Sequence, residues 1–558
     1  MNKKTILAFL LVGIIIILWP LYEEKVLGIK RGPRQKTEQQ IPVPAEKQEN
    51  GADTKITLPK EPPRQEKPKE KIQRADTLVF ETDLVRGMVS SKGGGTIISW
   101  KLKKFLDPTG KTVELVPDSS SGNLGMAIGG SLQEYIDLSN TVFRIVQNRK
   151  TIEGGKTVHT LAFSHDVPGM GRIDRILSVR EGSYDVQLRV HLVSTDPYRA
   201  VSKWFLFWKG GIAPTEKNTR DESSYLEASA MHGDEMLKTK SDSTGLREGT
   251  TSWASVRTKY FIVSMIPQNT LASAIQLKGE KIQIKDAFGN LVPWKKVTAT
   301  LVLPLKGAQQ DSSSIVSYFG PMDYRLLKAH GVSLEKNMNF GWIVIRPFSI
   351  AFMYAFEFLF GIIRNYGWAI IVFAIMIKII LNPLMKKSMD SMKKMQSLQP
   401  KIEAMREKYK NDPQKMNAET MKMYKEYGIN PFGGCLPFLL QMPILFALFN
   451  LFRTTIMLRQ ATFGPIQDLS APDQIIPIGN VSLNLLPILM GVSMILQQRL
   501  TVQDPKQKFT TYFMSIFMIY IFYSLSSGLN LYYLVFNILQ IGQELAIRRR
   551  KPKEAVQG

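Results

Sequence analysis

Apolar residues follow three different rhythms along this chain. In Tyr184-Asp185-Val186-Gln187-Leu188-Arg189-Val190-His191-Leu192 they alternate strictly with polar ones, the period of a half-buried strand. Lys281-Ile282-Gln283-Ile284-Lys285 and Val297 to Leu303 repeat that period, with Gly-rich turns between. Residues 75–330 are therefore expected to form a large antiparallel β domain, a two-sheet sandwich. Beyond residue 340 the rhythm gives way to long runs without charge: Asn365 to Met385 (broken only by Lys378), Tyr427 to Phe452, Gln474 to Gln498 and Phe509 to Gln543. A helix crossing a bilayer needs about 20 such residues. The last run is too long for one crossing, and Ser526-Ser527-Gly528 near its middle predicts two short helices in a hairpin. A further run, Thr5 to Tyr22, follows Lys3 and Lys4 and ends with Trp19 and Tyr22 at interface depth. A cleaved signal peptide is the alternative, but Trp19-Pro20-Leu21-Tyr22-Glu23 supplies no small residues for cleavage, which favours an uncleaved anchor over 1–29. The expected fold is a polytopic α-helical membrane protein of six spans, five of them forming a core bundle over 364–547.

The third rhythm has steps of three and four. Met385, Met389, Met392, Met395, Leu398, Ile402, Met405 and Tyr409 mark one helix face, Asn411-Asp412-Pro413 caps and opens a second helix, and Gly428 ends it. This predicts a basic helical hairpin over 386–428 with a methionine seam. The seam reads equally as plain packing and as an adaptable surface for varied apolar partners. Residues 340–363 carry Phe348, Phe352, Tyr354, Phe356, Phe358 and Phe360, with Glu357 the one charge between Arg346 and Arg364. This segment could span, but placing it along the interface as an amphipathic helix keeps Lys3 and Lys4, the basic hairpin, Arg499, Lys506, Lys508 and Arg548-Arg549-Arg550-Lys551 on one side of the membrane, as the positive-inside tendency requires. Both termini are then cytoplasmic, the β domain lies opposite, and 548–558 form a basic tail. Residues 30–74, rich in Lys, Glu, Gln and Pro, read as a flexible linker.

Charge sharpens this picture. Of 558 residues, 72 are Lys or Arg and 48 Asp or Glu, leaving a net charge of +24 that calls for an anionic partner: nucleic acid, a lipid surface or acidic substrate segments. A single cysteine, Cys435, excludes an internal disulfide framework and a cysteine zinc cluster, and five histidines leave little for a metal site. Gly155-Lys156-Thr157 lacks the first glycine of a phosphate-binding loop, and neither a GxSxG elbow nor HExxH occurs, so no enzyme, metal or cofactor is expected. Lys378 is the exception to an otherwise apolar span, five residues before the helix-stopping Pro383. A cation near mid-bilayer costs about 2.5–3.5 kcal/mol on insertion scales. A lysine snorkelling to the interface is one reading and a water-lined site the other. Gln441, Asn484, Gln497, Asn530, Tyr532, Tyr533, Asn537 and Gln540 fall in or beside spans and could line that site, while Pro437, Pro443 and Pro487 bend helices against it.

These residues fall within motifs of a known family. Asn430-Pro431-Phe432-Gly433-Gly434-Cys435-Leu436-Pro437 with Gln441-Met442-Pro443-Ile444, the stretch Leu398 to Arg406, Leu486 to Gly491, and Ser527-Gly528-Leu529-Asn530-Leu531-Tyr532-Tyr533 resemble the core of the YidC membrane protein insertases. The resemblance is specific over about 340–548 and matches the Gram-negative architecture of anchor, linker and periplasmic β domain. It implies an ATP-independent insertase of the bacterial inner membrane that folds nascent membrane proteins, alone or with the Sec translocon. It further implies a membrane groove with one cation, usually Arg and here Lys378, and Tyr533 against the incoming helix. Ala374 stands where many members carry a hydroxyl residue, which makes that part less polar. Lys393, Lys394, Lys401, Arg406, Arg548, Arg549 and Arg550 would then meet the ribosome, nascent chains or anionic phospholipids, and no direct DNA binding is expected. The β domain would be similar to sugar-mutarotase sandwiches without their chemistry. Two rival readings are a membrane transporter, for which no internal repeat is visible, and a membrane-anchored periplasmic binding protein.

Overall fold

The computed structural model describes residues 74–549 apart from 118–121, 132–134, 195–201, 240–242, 411, 429–435, 479–480 and 502–504. The anchor and linker expected at 1–29 and 30–74, Arg74 excepted, and the tail from Arg550 onward lie outside the described residues.

The alternating segments are strands, as their period requires. Asp185–Ser194 buries Val186, Leu188 and Val190 and exposes Gln187 and Arg189. It pairs antiparallel with Gly171–Arg180 on one side and Gln310–Pro321 on the other. It belongs to a 14-stranded sheet, which a four-stranded sheet of Thr77–Glu81, Val85–Ser90, Thr96–Leu106 and Thr112–Glu114 accompanies. The sheets meet at Trp100, whose indole N–H donates to the Phe319 carbonyl (3.1 Å) and whose ring lies 4.9 Å from that of Phe319. Trp208 also packs on Phe319 (5.2 Å), so large fully buried aromatics gather where the sheets meet.

Ten α-helices are described. Two belong to the β domain, α1 (Thr219–Tyr225) and α2 (Tyr324–Ala329). The rest follow it: α3 (Arg346–Ile363), α4 (Tyr366–Ser397), α5 (Gln399–Lys408), α6 (Pro413–Glu426), α7 (Leu436–Thr454), α8 (Leu485–Thr501), α9 (Pro505–Phe522) and α10 (Ser527–Arg549). Among the described residues two helices, Arg346–Ile363 and Tyr366–Lys386, are long and apolar enough to cross a membrane by length and composition. Phe373 of α4 is the packing centre of this part: its ring lies 5.1 and 4.5 Å from Phe352 and Phe356 of α3 and 6.2 Å from Tyr532 of α10. Phe356 also meets Phe452 of α7 at 5.0 Å. The opposite face of α3 presents Phe348, Phe358 and Ile362 outward, and its one acid, Glu357, pairs with Arg325 of α2. It is thus apolar on both faces, not divided into apolar and polar halves.

Two expectations need correction. Pro383 does not stop its helix. It lies inside α4, which continues to Ser397, so the Lys378 span and the start of the basic segment are one continuous rod. A proline removes one intrahelical hydrogen bond, a loss that neighbouring packing can offset. Nor is the charge-free run 474–498 helical throughout: Ile476–Ile478 and Val481–Leu483 pair as a small hairpin, and α8 begins only at Leu485. Asp473 accepts the Leu485 and Leu486 N–H groups (2.6 and 2.9 Å), which fixes that start. Just beyond the charge-free run that ends at Gln543, α10 carries the buried Glu544. The break at Ser526-Ser527-Gly528 and the hairpin caps agree with the structure: α9 ends at Phe522, α10 begins at Ser527, the Asp412 carboxylate accepts the Lys415 N–H (3.0 Å), and Gly428 takes φ +60° after α6.

The β domain is pinned to the helical part by a buried ionic joint. Arg459, between α7 and α8, donates through Nε to Glu216 Oε1 (2.7 Å) and through Nη2 to the carbonyls of Leu106 (2.7 Å) and Thr215 (3.1 Å). Arg453, near the end of α7, and Lys259 both bind the Asp221 carboxylate of α1 (3.0 and 3.1 Å). Beneath them Glu222 is fully buried and accepts the Thr215 hydroxyl (2.6 Å) and backbone N–H (3.0 Å).

Candidate functional site

Helices α4 and α10 run side by side in the same direction. Phe373 faces Tyr532, Lys378 reaches Gln540, and Asn382 accepts a hydrogen bond from the Gln543 amide (2.6 Å). On α10, Asn530, Tyr533, Asn537, Gln540 and Glu544 follow at steps of three and four and so share a face. Of this stripe Gln540 is the member that meets α4, while Tyr533 packs on α9 and Asn537 bonds to α8.

Lys378 is only 8% exposed. Its ammonium group donates to Gln540 Oε1 and lies 5.1 Å from the Phe536 ring centroid, so an amide oxygen and an aromatic face replace part of its water shell. One turn beyond Gln540, the carboxylate of Glu544 (7% exposed) acts on the same ammonium electrostatically.

A second polar group lies nearer the start of α10. The Gln441 amide of α7 approaches the hydroxyls of Tyr532 and Tyr533, whose rings meet edge-on at 5.1 Å. The buried polar atoms Gln441 Nε2 and Oε1, Tyr532 Oη and Tyr533 Oη have no ordinary hydrogen-bond partner among the described residues. Tyr533 also packs on Phe522 of α9 (5.3 Å).

The candidates do not all converge. Asn530 is fully buried, but its amide donates to the Phe522 carbonyl (3.2 Å) and holds the α9–α10 turn. Gln497 is half-buried on α8, where its neighbour Ser493 accepts the Asn537 amide (3.1 Å). The N-terminal end of α10 is closed by backbone: Ser527 and Gly528 donate N–H groups to the carbonyls of Ala471 (2.8 Å) and Leu469 (2.9 Å). Of the basic candidates, Lys394 and Lys401 are exposed, Lys401 donating to Tyr427 Oη (2.6 Å), and Arg406 is half-buried on α5. Lys393, Arg548 and Arg549 lie on helical backbone with their side chains outside the described residues, as is Arg550 altogether. Glu544 was missed because the charge-free run stops at Gln543; following the polar residues of α10 at helical spacing would have reached it.

The chain matches the family model described as the 60Kd inner membrane protein over residues 358–554 and that of the YidC periplasmic domain over 77–349. A membrane protein insertase YidC of Chlorobium limicola is 36% identical over 491 residues, covering 85% of this chain and 83% of that one. Its counterpart from Chlorobaculum parvum is 33% identical over 572 residues, covering 98% and 94%. A crystal structure described as an active YidC insertase with the first transmembrane domain resolved is 18% identical, with a TM-score of 0.38 over 86% of this chain and 94% of that one. The names of these relatives favour neither the transporter nor the anchored-binder reading. With an inner-membrane core and a periplasmic β domain each matched to its own model, and with relatives that run nearly its whole length, the chain belongs to the YidC membrane protein insertase family.

Proposed function

We propose that this chain inserts and folds nascent membrane proteins, alone or beside the Sec translocon, by admitting their polar segments to a hydrated groove between α4, α7 and α10. The observation that carries this is Lys378, a cation buried within an apolar helix and met by the polar stripe of α10. The polar atoms of Gln441, Tyr532 and Tyr533 without ordinary partners support it, because passing polypeptide or water would satisfy them. The chain crosses the membrane six times with α3 along the interface, both termini are cytoplasmic, and the groove opens toward the end of α10 that carries Glu544. Lys378 attracts the acidic N-terminal segment of a substrate, the membrane potential draws it across, and the adjoining apolar segment leaves along the lipid-facing side as a helix. The basic α5–α6 hairpin, with Lys393, Lys394, Lys401 and Arg406, and the tail with Arg548, Arg549 and Arg550 meet the ribosome and anionic headgroups.

The test is a photo-crosslinker at Tyr533 or Gln441 in the full-length protein. Ribosome-bound nascent chains of membrane proteins should be captured at both positions, and soluble nascent chains at neither. Absence of capture at both positions sinks the groove. Separately, K378A should weaken insertion of substrates with acidic tails; normal insertion of those substrates removes the electrostatic role.

A further inference from the structure

Glu544 lies one turn beyond Gln540 on α10, and its carboxylate acts electrostatically on the Lys378 ammonium that Gln540 contacts. Both groups are more than nine-tenths buried, on parallel helices, with Gln540 between them in the α10 stripe. Opposite charges removed from water attract far more strongly than at a surface, and a buried ammonium without a counter-charge is costly. Lys378 therefore has a resident anion in its own chain. We infer that Glu544 is a specificity-determining residue: it holds Lys378 as an internal counter-ion until an acidic side chain of the entering segment takes its place. This rests on the insertase reading above and adds to it an exchange of one carboxylate for another.

The exchange has a physical use. A lone buried cation would bind an acidic segment tightly and release it slowly, because leaving would strand the charge. With Glu544 at hand the cation is paired before entry and after departure, so the acidic segment gains only the difference between two similar pairings. Discrimination between acidic and neutral segments is thereby lowered and turnover is kept. The α4–α10 contact does not depend on Glu544, since the Gln543–Asn382 hydrogen bond and the Phe373–Tyr532 packing hold the two helices in register. E544Q thus removes the charge while keeping the shape.

The experiment measures insertion by the full-length protein in proteoliposomes of two matched substrates, one with a single Asp in its translocated segment and one with Asn there. The acid preference, the ratio of their insertion yields, is read for wild type, K378M, E544Q, E544D and K378M/E544Q, with thermal unfolding of each variant to verify the fold. E544Q should raise the acid preference by about threefold or more and prolong crosslinking of the Asp substrate at Tyr533. E544D should stay close to wild type, and the double variant should match K378M. If K378M alters the preference while E544Q equals wild type, the counter-ion assignment is overturned and the insertase reading stands. If K378M itself leaves the preference unchanged, the electrostatic part of the proposed function fails, whatever E544Q does. If E544Q raises the preference equally in the K378M background, the effect does not pass through Lys378 and the assignment is overturned.

Discussion

Tyr533 and Tyr532 put a sharp question to residue-scale energetics. A buried hydroxyl without an ordinary partner contributes little to stability, and replacing it with hydrogen removes a desolvated dipole at small cost. Tyr533→Phe is expected to leave the melting temperature in detergent unchanged or slightly raised while reducing insertion yield. A fall in melting temperature of several degrees would identify the hydroxyl as structural. Asn530 predicts the opposite: its amide closes the α9–α10 turn from a fully buried position, so Asn530→Ala should cost about 1–3 kcal/mol in thermal or denaturant unfolding. The two lie three residues apart on one helix and both stand out in the sequence as polar residues in an apolar run. Polarity in a span was therefore legible, whereas its use was not. Whether a polar side chain serves a turn or a substrate depends on which carbonyl of another helix comes within reach, a fact of tertiary packing that helical spacing does not contain. The same gap applies to Lys378: sequence offered Gln540 as one of eight polar candidates for its site, but only the parallel packing of α4 on α10 singles it out and sets Glu544 one turn beyond.

At the scale of elements, legibility followed period. Strict alternation over Tyr184 to Leu192 became a strand with the expected faces, and Asp412, Pro413 and Gly428 marked helix ends where the structure has them, because those signals are local. Pro383 misled because a proline is a local penalty that packing can override, and the run 474–498 misled because absence of charge does not distinguish a buried helix from a short covered hairpin. Two consequences can be measured. Gly491 of α8 lies where a Cβ would stand 2.1 Å from Ile519 Cγ1 of α9, so these helices cross with no room for a side chain. Gly491→Leu should force them apart and destabilise the core by about 1–3 kcal/mol or more, read as a lower melting temperature in detergent. The α5–α6 hairpin is held mainly by Leu398 and Met423 with Met395, Ile402, Met405 and Tyr424 packed on them, a seam separate from the main core. So small a seam should open on its own. Hydrogen exchange is expected to be fast over 399–426 and slow over 366–382, and Met423→Asp should accelerate the first without changing the second. Equal protection of the two segments would mean that the hairpin is part of one cooperative unit with the core.

For the whole molecule, the joint at Arg459 makes the relation between β domain and membrane core a matter of protonation. Burial, reinforced by the neighbouring Glu216 charge, pushes the Glu222 carboxyl up to about 7, and burial also raises Glu216 against the pull of Arg459. Glu216 faces the guanidinium directly at 2.7 Å, whereas Glu222 has no cation beside it among the described residues. Asp221, held low by Lys259 and Arg453 despite partial burial, stays ionised throughout this range, and Lys259, raised chiefly by Tyr260 and Asp221 against its desolvation, stays charged. An acid whose folded pKa lies above its unfolded value binds more protons when folded. Its stabilising contribution is complete below the unfolded value of about 4.5 and is lost as pH rises through about 7. The docked joint is therefore expected to loosen from mildly acidic to neutral pH, with faster hydrogen exchange over 215–226 at pH 7.5 than at pH 5.5 after correction for intrinsic rates. Glu222→Gln keeps the uncharged shape and should flatten that dependence, leaving exchange slow at both pH values. Arg459→Ala strands Glu216 and removes the donor to the Leu106 and Thr215 carbonyls, so it should open the joint at every pH at a cost of about 3–5 kcal/mol. Since Lys378, Gln441 and Tyr533 lie elsewhere on α4, α7 and α10, insertion by the Arg459→Ala protein should fall much less than insertion by K378A. If Arg459→Ala abolishes insertion while the core keeps its melting temperature, the β domain has a part in insertion beyond being held at the periplasmic face.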